Sequence, residues 1–127
     1  MIPISVIFWL LVSHWVADFV LQTDWMARNK SKSNLPLSVH VLVYTLGLIP
    51  FAIFFINPAY ILWFLILNYC AHWYIDYNTS RITSRLGAQG KYGSNTVPNF
   101  GMFSIIGLDQ LFHYLTLFFT YLFFTNP

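Results

Sequence analysis

Four stretches of this chain, at about 2–22, 37–56, 59–80 and 101–124, are apolar over about 20 residues or more. As a helix, each is long enough to cross a hydrocarbon core about 30 Å thick. Three of them also carry a histidine and an aspartate four residues apart: His14/Asp18, His72/Asp76 and Asp109/His113. An ionisable residue at membrane depth is costly, so its presence marks a functional site by default. The chain holds four aspartates and glutamates together and four histidines. Only Asp24 among the acids lies outside these pairs, and the remaining histidine, His40, sits near the start of the second apolar stretch.

Composition agrees with a lipid-facing chain. It is 57% hydrophobic and 8% charged, against about 25% charged in soluble domains, too few charges to cover a soluble surface. The 127 residues suit one compact unit. The expectation is an all-α fold, a four-transmembrane-helix bundle forming a single integral membrane domain over 1–127. The formal charge of +2 is too small to suggest nucleic acid as a partner. The lone Cys70 has no internal disulfide partner and reads as a small packing residue. The amino terminus has no basic region ahead of its apolar run, so it reads as a retained first span rather than a cleaved signal.

Turn signals separate the stretches: the polar run at 28–36 ending in Pro36, the pair Asn57-Pro58, and the glycine-rich segment at 87–99. Pro50 reads as a kink within its span. The six lysines and arginines follow the first and third spans (Arg28, Lys30, Lys32; Arg81, Arg85, Lys91). By the positive-inside rule these loops face the cytoplasm and both termini face outward, in a multi-pass protein of the inner membrane.

Depth turns the three pairs into one site. The first and third spans run inward with histidine before aspartate; the fourth runs outward with aspartate before histidine. The reversed order on a reversed helix sets Asp18, Asp76 and Asp109 in one layer, with His14, His72 and His113 one turn deeper and His40 near the carboxylates. The i,i+4 spacing places each pair on one helical face, which Gln22, Asn68, Thr116 and Thr120 extend. A single such pair is commonly an interhelical hydrogen-bond clasp, but three at matched depth point to a shared polar site in the cytoplasmic half of the bundle.

Imidazole with carboxylate suits a divalent transition metal, zinc first, with iron or manganese as alternatives. Three protein ligands plus water is the usual open zinc arrangement. The candidate ligands are His14, His72 and His113, with His40 as alternate and Asp18, Asp76 or Asp109 completing the shell. The carboxylates left over are the candidate catalytic bases. Gln22, Asn68 and Gln110 are expected to orient the ligands by hydrogen bonds.

The segment His14-Trp-Val-Ala-Asp18 with Gln22, then Asn29-Lys30, a histidine opening the second span, His72…Asp76 and Asp109-Gln110-Leu-Phe-His113, resembles a family of small bacterial and phage membrane proteins known as domain of unknown function 3307. The resemblance spans essentially the whole chain and implies no biochemical activity. The HxxxD motif on a membrane helix is also similar to small inner-membrane proteins labelled metal-dependent hydrolases.

Three functions follow as expectations. The first is a membrane-embedded metal-dependent hydrolase acting on a lipid or other amphiphile near the cytoplasmic leaflet. The second is a transporter or channel for metal ions or protons, for which assembly of several copies could supply the pore. The third is a structural or phage-accessory membrane protein whose polar core fixes helix register. The outer halves of the spans are nearly free of ionisable residues, which favours a one-sided site over a pathway.

Overall fold

The computed structural model describes residues 1–93 and 98–125, and among these every element is helical. Helix α1 (Ile4–Trp15) runs into a π turn (Val16–Val20), followed by a short α2 (Asp24–Asn29). Next come α3 (Asn34–Gly47) and α4 (Ile49–Phe55), then a 3-10 turn (Pro58–Tyr60), α5 (Ile61–Ala88) and α6 (Met102–Thr125). Helix α5 is the centre of the assembly: α6 packs along it, α3 packs on its other side, and α1 with its π turn packs on α3.

The element boundaries follow from local chemistry. Thr23 caps α2 by accepting the Met26 N–H at 3.3 Å. Asp24 then falls in the first turn, where a carboxylate meets the positive helix end. Helix α3 breaks at Leu48, and α4 restarts with Pro50 in its first turn, where a missing N–H costs nothing. Helix α5 runs past the expected end at 80 to Ala88. Its extension is held by Arg81, which lies 3.8 Å over the Tyr77 ring and donates to Asn34 Oδ1 at 3.1 Å. It stops at Gly90, whose φ of 69° is left-handed. There Lys91 N–H bonds Leu86 C=O at 2.9 Å and Gly90 N–H bonds Gly87 C=O at 3.0 Å, the paired closure that glycine permits.

Of the four expected spans, two helices are long and apolar enough to cross a membrane: Asn34–Phe55 and Met102–Thr125. The run Ile4–Val20 is shorter, because the chain leaves helical geometry after the π turn. In α5 the inward-facing Asn68, His72 and Asp76 dilute the apolar run.

The interior is divided along the bundle. One end is an apolar plug of Val6, Leu10, Leu48, Phe51, Phe64 and Leu117. The other end holds His14, Asp18, His40, His72, Asp76 and His113, each at most 4% exposed. The exterior is apolar, with Phe54 80% and Phe123 75% exposed. Cys70 is exposed, contrary to the packing role expected of it. The inward stripe of α5 is Asn68, His72 and Asp76, and position 70 points away from it.

Gly47 lets α3 approach the π turn. A Cβ there would lie 2.8 Å from the Ala17 Cβ, closer than real Cβ atoms come, and a tight 3.1 Å from its Cα. Gly47→Ala should therefore destabilise the fold by about 1–3 kcal/mol. Gly107→Ala on α6, where a Cβ meets nothing within 4 Å, should be neutral or stabilising by up to about 1 kcal/mol. Thermal unfolding in detergent checks the pair; equal behaviour of the two variants would refute the close approach.

Candidate metal centre

Each polar residue reaches the centre by its place on a helix. His72, Asp76 and Thr79 form one stripe of α5, and Asp109 and His113 one stripe of α6. His40 and Tyr44 share a face of α3 by the same four-residue spacing. In α1 the π turn intervenes between His14 and Asp18, and their nearest atoms are 3.6 Å apart. Such turns recur at functional sites. Here the turn lets the two side chains face different partners.

Asp18 Oδ1, His40 Nε2 and His72 Nε2 form a triangle with edges of 3.1 Å (His40–Asp18), 3.4 Å (His72–Asp18) and 3.2 Å (His40–His72). Donors at about 2.0–2.1 Å from a tetrahedral ion are separated by about 3.3–3.4 Å, so these atoms already stand near the spacing of three ligands to one ion. Asp76 touches the same triangle, its Oδ2 lying 3.3 Å from His40 and its Oδ1 3.5 Å from His72. The Asp76 Oδ1 also meets His113 Nε2 at 3.0 Å, and His113 lies 3.3 Å from Asp109. Three donor sets have ion-binding geometry among the described residues: Asp18/His72/His113, His40/His72/Asp76 and Asp76/Asp109/His113. The His72 and His113 rings stack at 3.9 Å, which fixes their planes.

Around these donors runs a hydrogen-bond relay whose directions follow from donor count. The Gln110 amide donates to Asp18 Oδ2 at 3.4 Å and Asp109 Oδ2 at 3.1 Å, which leaves its Oε1 to accept from His14 Nε2 at 2.8 Å. His14 Nδ1 then accepts from the Tyr44 hydroxyl at 3.3 Å. Thr79 donates to Asp109 Oδ1. Both His14 nitrogens are thereby engaged, and His14 belongs to none of the three donor sets, whereas His40 lies inside one of them. The Nδ1 atoms of His40 and His72 are buried without a protein hydrogen bond, so both imidazoles engage the cluster through Nε2.

The structure thus gathers all seven candidate ligands, with Gln110 among them. Asn68 stands apart: it donates to Thr120 Oγ1 at 3.0 Å and to Phe64 C=O at 2.8 Å, within the apolar half. Gln22 lies on the wall of a cavity beside the centre. Thr116 bonds only its own helix, at Phe112 C=O.

From the sequence Lys30 is a topology marker and part of the motif that carries the resemblance, not a site residue, yet it enters the centre. Its ammonium lies 2.9 Å from Asp76 Oδ2 and 3.5 Å from His40 Nε2, with 21% of the side chain exposed. Burial opposes its charge, but Asp76 and Asp18 more than offset this and hold its pKa above the ordinary lysine value. Tyr44 and Thr79 were also missed; their signal was the four-residue spacing from His40 and the three-residue spacing from Asp76.

The carboxylates form the floor of a cavity of about 420 Å³, open beside α2 and lined by Asp18, Asp76 and Asp109 below and Arg28, Lys30 and Lys32 above. A family model described as "Protein of unknown function (DUF3307)" matches residues 6–127. The chain belongs to this family. Comparison with curated proteins and with solved structures gave no match. For this family member the chemistry has therefore to come from the site itself.

Gln110 and Asn68 make a controlled comparison. Gln110→Leu strips partners from His14, Asp18 and Asp109 and should cost about 1–3 kcal/mol. Asn68→Leu loses bonds that inside a membrane average about 0.6 kcal/mol. Unfolding midpoints of the two variants check this; a Gln110→Leu protein as stable as Asn68→Leu would dismiss the relay as incidental.

Proposed function

We propose that this protein is a membrane-embedded metal-dependent hydrolase that acts on a lipid or other amphiphile at the cytoplasmic leaflet. The observation that carries the reading is the donor triangle of Asp18, His40 and His72, spaced for one tetrahedral ion and met at two corners, His40 and His72, by Asp76. Charge supports a dication: the three carboxylates meet one ammonium, Lys30, which leaves two formal negative charges beneath an apolar exterior. Mixed imidazole and carboxylate favours zinc, with iron or manganese as alternatives.

A bound ion of this kind lowers the pKa of water to about 7 and polarises the bond under attack. The protein groups do the rest. Asp109, the most exposed of the three acids at 16%, is held by Thr79 and Gln110 on the cavity floor, where it can accept a proton from water. The cavity admits substrate from one side. The apolar plug below (Leu10, Leu48, Phe51, Phe64, Leu117) has no ionisable group to carry an ion across, which favours a one-sided enzyme over a transporter.

The membrane reading rests on the exposed aromatic exterior over a histidine-rich interior, the inverse of a soluble domain. In this reading all four helical rods cross or enter the bilayer, the termini face outward, and the loops carrying Lys32 and Lys91 face the cytoplasm.

Protein purified without chelator should retain about one divalent ion per chain or more. Asp18→Asn, Asp76→Asn and His72→Ala should each lower that content at least tenfold while the helical signal persists. Elemental analysis beside circular dichroism decides; a folded protein with metal far below one equivalent would leave the clusters as structural clasps. In a Cys70→Ser background, Lys32→Cys should resist a membrane-impermeant thiol reagent in intact cells while Ala59→Cys reacts. The opposite labelling would overturn the orientation.

A further inference from the structure

The cavity over the candidate metal centre is bounded by surfaces of four kinds. Its floor is the acidic cluster, and its rim carries Arg28, Lys30 and Lys32, half of the six basic residues in the chain. Its α5 wall presents the hydroxyls of Ser80, Thr83 and Ser84. Two buried polar atoms on these walls, Ser80 Oγ and Gln22 Oε1, make no hydrogen bond within the protein. Both atoms are closed off from water, so the hydroxyl on this wall that an entering ligand meets is that of the exposed Ser84. The remaining wall is apolar: Phe19 and Ile106 line it and are themselves exposed on the outside of the bundle.

We infer that this cavity recognises a phosphate ester headgroup whose hydrocarbon part leaves between Phe19 and Ile106. The inference rests on the hydrolase reading for its chemistry, but its recognition chemistry is separate. A neutral ester has no use for Arg28 and Lys32 beside an opening whose third cation, Lys30, already pairs with Asp76. A phosphate dianion does, and its oxygens accept from guanidinium, ammonium and hydroxyl donors together. An ion on the floor would separate that dianion from the three carboxylates, which would otherwise repel it. About 420 Å³ holds a phosphate with a short polyol but not an acyl chain, which fits an apolar exit beside it.

Under the hydrolase reading the bond attacked is the phosphoester. The water oxygen bonds to phosphorus while its proton passes to Asp109. The P–O bond to the alcohol breaks with its electron pair on the leaving oxygen, which then takes up the proton. A monoester dianion and water so give the free alcohol and hydrogen phosphate, with charge and atoms balanced and no redox partner.

The test uses the full metal-loaded protein in nanodiscs of phosphatidylcholine, alone or mixed equally with phosphatidate. Inorganic phosphate and glycerol 3-phosphate serve as soluble competitors. Lipid retention is measured by native mass spectrometry, phosphate release is measured separately, and metal content is checked in every variant. The inference expects retention of phosphatidate over phosphatidylcholine, weakened about tenfold by Lys32→Gln or Ser84→Ala at unchanged metal content, the loss of one charge-assisted bond. Arg28→Gln provides a second variant should either fail to fold. Competition by glycerol 3-phosphate or phosphate alone supports a site for the anion itself; competition by neither supports the lipid form. Retention without phosphate release supports the recognition and removes the hydrolase reading. Equal retention of both lipids, or retention indifferent to all three variants, overturns the inference even if a neutral ester is cleaved.

Discussion

The Asp76 carboxylate is the contact on which the remaining structure depends. Its two oxygens reach His40, His72 and His113 and the Lys30 ammonium, so α3, α5, α6 and the segment after α2 all meet at one side chain. In a bilayer, apolar packing gives little preference between helix registers, because lipid tails are as apolar as leucine. A charge left without partners in that setting is strongly penalised. Sliding α6 against α5 by one turn would move His113 about 5.4 Å from Asp76. The polar centre therefore sets how the helices align, and the apolar plug follows.

Much of the site was legible because helical spacing is rigid. The pairs His72/Asp76 and Asp109/His113, read with opposite helix directions, already placed like residues at like depth, and the structure gathers them. His40, judged from its distance into the second helix to lie near the carboxylates, does so at 3.1 and 3.3 Å. What failed was whatever depends on departures from regular helix. The π turn after Trp15 brings Asp18 to His40 at 3.1 Å while leaving it 3.6 Å from His14, and no residue type announces the turn. Lys30 looked like a loop cation because loop geometry is not periodic, yet α2 folds it back over Asp76. Asn68 lay on the right stripe but one turn too deep, beyond His72. The end of α5 was placed too early because Arg81 and Arg85 read as loop charges, while the chain could stay helical until a residue free to adopt positive φ arrived at Gly90.

Clasp and metal centre make different demands on the same atoms. A clasp needs each imidazole to donate to one carboxylate and has no use for two imidazole nitrogens facing each other. Here His40 Nε2 and His72 Nε2 approach to 3.2 Å while their Nδ1 atoms remain buried and unbonded to protein. One of the two Nε2 atoms can protonate towards the other, but both then crowd Asp18 Oδ1 as well. Three lone-pair donors converging at such spacing is the arrangement an ion resolves, since each donor then points to a common centre instead of to another donor.

The division of the bundle along its axis bears on what such a centre can do. Ionisable groups stop at the level of His14, His72 and His113, and below them Phe51, Phe64 and Leu117 close the interior. Above them the charge alternates: carboxylates on the floor, a place for a dication among them, then Arg28, Lys30 and Lys32. In the proposed reading an anion entering from the loops would meet the rim first and then a bound ion, with the carboxylates behind it. Asp109 lines the same cavity, so water, base and entering anion would share one compartment. The apolar exit past Phe19 and Ile106 opens sideways, where the tail of an amphiphile would already lie in the membrane. A substrate of that kind need not be lifted out of the bilayer to react; only its headgroup has to turn into the cavity.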